Sequence, residues 1–119
     1  MTKRLVPAVL LTALVLPATA AADRKPTKAE RTGIATAAQV PASCLKIRVS
    51  TVNEAYAAIH IRNLKRSCVK YQADGVAVYK RKQSGSWKFV TAGSSFTCPV
   101  PKVPKRVAKD LGIECYDPQ

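Results

Sequence analysis

One histidine, His60, and four cysteines, Cys44, Cys68, Cys98 and Cys115, are the side chains of this 119-residue chain that most constrain its chemistry. His60 could serve general acid–base cleavage of RNA if Glu54 and an arginine stood beside it. Glu54 falls in a predicted turn, however, and the strand pattern expects His60 on an outer, solvated face. Gly93-Ser94-Ser95 is no nucleophile elbow, because G-x-S-x-G is absent and no helix directly follows. Neither H-E-x-x-H, a P-loop nor a dinucleotide fingerprint occurs. The inventory leans away from an enzyme, with no catalytic residue and no cofactor expected. The cysteine spacings of 24, 30 and 17 contain no short C-x-x-C knuckle, so no metal site is expected. In an exported chain an even count reads instead as two disulfides.

Charge is the larger anomaly: 20 Lys and Arg face 7 Asp and Glu, for a net +13. The cations come in groups: Lys65, Arg66 and Lys70 near Cys68, Lys80, Arg81 and Lys82 in one strand, and Lys102, Lys105, Arg106 and Lys109 near the C-terminus. They could form a face that binds an anionic polymer or a cell-envelope component, or they could simply keep the protein dissolved. No motif of a sequence-reading nucleic-acid fold appears. A protein partner is not legible. A second functional reading rests on residues 98–104, where Pro99, Pro101 and Pro104 stiffen the path beside Cys98. A rigid exposed loop of this kind, with Lys102 in it, is what a secreted protease inhibitor presents to a cleft. The plainer reading is a connector into a helix.

The elements that must position these residues follow from punctuation and period. Residues 1–22 read as a signal peptide: Lys3 and Arg4, a 12-residue apolar run at 5–16, and small residues at Ala18, Ala20 and Ala22. The run is too short to span a bilayer as a helix. The mature chain, starting at Ala21 or Asp23, is expected to be extracellular and without a transmembrane segment. Residues 23–43 lack aromatics and sustained periodicity, and read as a flexible basic leader. Residues 44–119 form the expected domain, small enough to need staples.

Within it, residues 44–52 alternate, with Leu45, Ile47 and Val49 on one face, and residues 55–62 alternate again, with Ala57, Ile59 and Ile61 inward and Tyr56, Ala58 and His60 outward. A turn at Asn53-Glu54 makes them a hairpin. A second hairpin joins residues 75–82 to 86–92 around Ser84-Gly85, opposing Val78 to Thr91, Lys80 to Phe89 and Lys82 to Trp87. Residues 103–111 form a short helix, with Pro104 in its first turn, Gly112 beyond its end, and Val103, Val107 and Leu111 in one stripe. Four cysteines allow three pairings; the hairpin geometry favours Cys44–Cys68 and Cys98–Cys115. The fold class expected is α+β, two antiparallel β-hairpins forming one sheet covered by a short C-terminal helix. Its core would be Leu45, Ile47, Val49, Ile59, Ile61, Val76, Val78, Trp87, Phe89, Val107 and Leu111.

The export signal, V-P-A-S-C-L-x-I-R-V-S-T-V, then C-x-x-Y-x-x-D-G-V, S-W-x-F-V-x-A-G-S-S-F-x-C-P and V-P-x-x-V-A-x-D-L-G-I-x-C together resemble small secreted bacterial two-disulfide proteins of unknown function. The likeness covers residues 40–115. It implies that Trp87, Asp110 and the four cysteines belong to a scaffold, and it brings no activity with it. The expected function is therefore a secreted, non-enzymatic binding protein that engages anionic polymer or envelope surface through its basic face.

Overall fold

The computed structural model describes residues 23–61 and 65–118; the expected signal peptide lies outside the described residues. Four strands, β1 (Lys46–Val49), β2 (Tyr56–Ile61), β3 (Ala73–Arg81) and β4 (Trp87–Gly93), form one antiparallel sheet in the order β1-β2-β3-β4. Disulfides join Cys44 to Cys68 and Cys98 to Cys115. The sheet, the C-terminal helix and both bridges are those expected.

Residues 23–43 depart from expectation. They are not a solvated leader but carry helix α1 (Lys28–Ala38), which packs on the sheet. The Thr27 hydroxyl accepts from the Glu30 amide at 3.1 Å, and the Glu30 carboxylate accepts from the Thr27 amide at 2.9 Å, a reciprocal cap on the first turn. Ile34 is completely buried, with Ala35, Ala37 and Ala38 around it. Burying one such side chain is worth about 1.5–3 kcal/mol. A stripe of one isoleucine among alanines gives little hydropathy signal, which is why the segment reads as polar. It docks closely because Gly33 has no side chain: a Cβ there would lie 2.9 Å from Cδ1 of Trp87. Upstream, Arg24 and Val49 exchange backbone hydrogen bonds of 2.8 Å, so the chain also lies along the outer edge of β1.

A helix on each face changes what alternation means in these strands. Ile47, Val49, Ala57, Ile59, Tyr79 and Trp87 pack with α1; Tyr56, Ala58 and Val78 pack with Phe96, Val100 and helix α2 (Lys105–Asp110). Tyr56 and Ala58, expected to face water, are buried at 6% and 2% exposure. Tyr56, Ala58 and Val78 make an apolar patch on that face, so the C-terminal segment can cover it. His60, on the same face, is half-buried. Of the expected core, Ile61 and Val76 are only half-buried, and Phe89 is exposed.

Phe89 is displaced by the turn chemistry. The loop has three residues, Gln83-Ser84-Gly85, closed by hydrogen bonds from Lys82 N to Ser86 O (2.7 Å) and from Gly85 N to Lys82 O (2.8 Å), with Gly85 at φ 97°. It opposes Arg81 to Trp87, Lys80 to Lys88 and Tyr79 to Phe89. Val90 is then the extra residue of a bulge that restores the Val78–Thr91 pairing. A one-residue offset near the turn sends Trp87 and Phe89 to the face opposite Val78. Trp87 finds α1 there. Phe89 stands 57% exposed, edge-on to Tyr79 with ring centroids 5.9 Å apart.

Candidate functional site

The C-terminal unit is held by several constraints at once. The Cys98–Cys115 disulfide is reinforced by a parallel bridge between Thr97 and Tyr116, with Cys98 N donating to Tyr116 O at 2.9 Å and Tyr116 N to Phe96 O at 3.0 Å. Val103, Val107, Ala108 and Leu111 bury one face of α2 against the sheet. Lys105, Arg106 and Lys109 are left outward and exposed. Ahead of the helix the chain turns at 100–103, where Val103 N donates to Val100 O at 3.3 Å. Lys102 occupies this turn, exposed and with φ 61°. Left-handed backbone at a non-glycine residue costs on the order of 1 kcal/mol. A substrate-like protease inhibitor offers an extended strand to its target; Lys102 does not have that conformation here.

The one acidic residue of α2 faces inward. Asp110 Oδ2 accepts from the Ser50 hydroxyl at 2.8 Å, from Thr51 N at 2.7 Å and from Val52 N at 3.3 Å. Burial pushes this carboxyl up, but the donors from Ser50, Thr51 and Val52 together pull it below the usual carboxylate range. Ser50 is fully buried, and its oxygen also accepts from Val52 N (3.1 Å) and Asn53 N (3.0 Å). The negative charge of the helix is thus used to order a loop, and its positive charges point to solvent.

The sequence-selected cations do not form one continuous face. Lys65, Arg66 and Lys70 lie in or beside the 3-10 helix Arg66–Tyr71, at the Cys44–Cys68 end of the sheet. Lys80 and Lys82 lie at the opposite end, by the two hairpin loops. The Lys80 ammonium sits 5.3 Å from the Tyr56 ring centroid, on the α2 side. Arg81, next in sequence, points to the α1 side, 5.6 Å from the Trp87 ring and 3.8 Å from Glu30. Lys102, Lys105, Arg106 and Lys109 cluster on α2 and the turn before it. His60 and Glu54 are not brought together: Glu54 precedes β2 and pairs with Arg24 at 3.0 Å, whereas His60 lies near its end and donates through Nδ1 to Gly75 O at 3.0 Å.

The N-terminal segment neutralises its own charge. Arg24 holds Glu30 through two 2.8 Å contacts, and Arg48 holds Asp23 at 2.8 Å. The Arg24 guanidinium, aided by the Thr27 amide and opposed by burial, holds the Glu30 carboxyl at about 2. By contrast, Lys102, Lys105, Arg106 and Lys109 have no acidic partner among the described residues.

Between α2 and the C-terminal segment lies an open cleft of about 750 Å³, floored by Val100, Ala108 and Ile113 and walled by the Cys98–Cys115 disulfide. Lys105 and Lys109 line it from the helix, Glu114 and Asp117 from the segment around Cys115. The two acids were invisible as site residues in the sequence; their only mark is that they flank Cys115. No group of three His, Cys, Asp or Glu converges as metal ligands among the described residues. No helix among them is long and apolar enough to cross a membrane. No known protein family, curated protein or solved structure matches this chain.

Proposed function

We propose that the protein is a secreted, non-enzymatic binder of anionic polymers or envelope surface, and that Lys102, Lys105, Arg106 and Lys109 are its principal contact. The observation that carries this reading is the asymmetry of charge. Asp23, Glu30 and Glu54 are spent on arginines of the N-terminal segment and β1, and Asp110 on a loop, while the cations of α2 stay unpaired and exposed. A polymer that neutralises several such cations releases its condensed counterions, so affinity falls steeply with salt. The α2 group and Lys80 are on one side of the sheet, which favours a single polymer track there; Lys65, Arg66 and Lys70 supply a separate patch at the other end.

Heparin-resin retention measured against salt tests the reading. Three to four contacts predict a loss of about tenfold or more in affinity between 50 and 200 mM salt. Replacing Lys102, Lys105, Arg106 and Lys109 by Gln should flatten that slope more than replacing Lys65, Arg66 and Lys70. Retention indifferent to salt, or equal loss from both replacements, would refute the assignment. Mass analysis of the exported protein tests the secretory part, which expects a chain beginning at Ala21 or Asp23.

A further inference from the structure

The cleft behind α2 carries two lysines and two acids that line the same space, and among the described residues none of the four is ion-paired. Lys105 and Lys109 are one helical turn apart and share a face. Glu114 and Asp117 belong to the segment fixed by the disulfide and the Thr97–Tyr116 bridge. A simple anion would be attracted by the lysines of the helix and repelled by the acids of the following segment, and a simple cation the reverse. The arrangement selects a ligand with both charges, held apart. Its floor, Val100 and Ile113, is apolar, and its volume of about 750 Å³ lies within the range of small-ligand clefts, about 300–1,000 Å³.

We propose that this cleft binds a short zwitterionic peptide of two or three residues, its carboxylate facing Lys105 and Lys109, its ammonium facing Glu114 and Asp117, and its apolar side chains resting on Val100 and Ile113. The termini of an extended dipeptide are separated by about 7 Å, which suits opposite charges that lie on two separate segments without pairing better than a single amino acid does. Because disulfide, bridge and buried helix face fix both walls beforehand, little ordering accompanies binding. This site goes beyond the polymer-binding reading: it shares Lys105 and Lys109 with that surface but also needs the acids, which a polyanion does not.

Titration calorimetry of the oxidised protein with Leu-Leu, N-acetyl-Leu-Leu and Leu-Leu amide tests the proposal. Leu-Leu should bind, and blocking either end should weaken it by about tenfold, the value of one charge-assisted contact. Lys105→Gln with Lys109→Gln, and separately Glu114→Gln with Asp117→Asn, should each do the same, with an unchanged near-ultraviolet circular dichroism spectrum. The acidic pair should leave heparin retention equal or stronger, which separates this site from the polymer surface. The proposal is overturned by no binding at roughly 10 mM Leu-Leu, by indifference to either cap, or by binding that survives both double variants.

Discussion

Asp110 and Ser50, 60 residues apart in sequence, meet through a 2.8 Å hydrogen bond that ties the end of α2 to the loop between β1 and β2. The buried serine oxygen donates once and accepts from two backbone amides, so both lone pairs and its proton are used. Removing the carboxylate leaves the Thr51 amide without its 2.7 Å acceptor and Ser50 without its own. Asp110→Ala should therefore lower unfolding free energy by about 1–3 kcal/mol. Urea denaturation checks it, and an unchanged midpoint would show that the loop rearranges without loss.

Acid stability should carry the signature of Glu30. Its carboxyl is held at about 2, against 4.5 for the free group, because the ionised form is bound by Arg24. As pH falls below 4.5 the unfolded chain takes up this proton first, so stability is lost progressively until about pH 2 and is fully present above 4.5. Glu30→Gln should cost about 1–3 kcal/mol at neutral pH and flatten the acid limb between those values. A parallel limb in the variant would assign the acid loss to other carboxyls.

Two glycines with left-handed backbone should behave differently. Gly75 has φ 89°, and a Cβ there would lie 2.2 Å from Gly93 O, a backbone atom of the neighbouring strand. Gly85, at φ 97°, would have nothing within 4 Å. Gly85→Ala should cost about 1–2 kcal/mol, the conformational strain alone, and Gly75→Ala distinctly more, since β3 and β4 must separate. Thermal melts of the pair read the difference directly.

The two disulfides differ in access. Cys44 and Cys68 are buried at 2% and 0% exposure, whereas Cys115 is exposed and its bond walls an open cleft. Thiolate attack needs an approach to sulfur, so graded dithiothreitol should open Cys98–Cys115 first. Alkylation followed by peptide mass analysis at each step would detect the order, and simultaneous reduction would contradict it.

Lys102 should show stability and binding moving apart. Lys102→Gly relieves the left-handed strain at φ 61° and should stabilise the fold by about 0.5–1 kcal/mol. It also removes one cation from the proposed polymer contact, so heparin retention should fall. Retention unchanged in the variant would remove Lys102 from the contact.

Much of this architecture is legible in the residues. Period-two alternation marks β1 and β2, the Ser84-Gly85 turn marks the hairpin of β3 and β4, and Pro104 and Gly112 bracket α2. What escapes has a physical cause in each case. The Thr27–Glu30 cap is written in the sequence, yet α1 buries one isoleucine and several alanines, so its apolar face is faint beside its charges. Trp87 and Phe89 depend on whether a turn holds two residues or three, a choice Ser84-Gly85 does not decide. The cations are visible as groups, but neighbouring Lys80 and Arg81 go to opposite sides of a strand, one over Tyr56 and the other toward Glu30 and Trp87. Glu114 and Asp117 become a site only because the chain beyond α2 is folded back by a covalent bond.

That the cysteines pair in order, first with second and third with fourth, bears on how the chain is made. For a polypeptide that emerges N-terminus first, the correct partner of Cys44 is the next cysteine to appear, and the same holds for Cys98. Neither loop encloses the other's ends. Oxidation in step with emergence therefore yields the native set directly, whereas oxidation of the completed chain must sort three alternatives. Refolding yield from the reduced protein thus understates how readily the protein forms when it is delivered residue by residue into an oxidising medium.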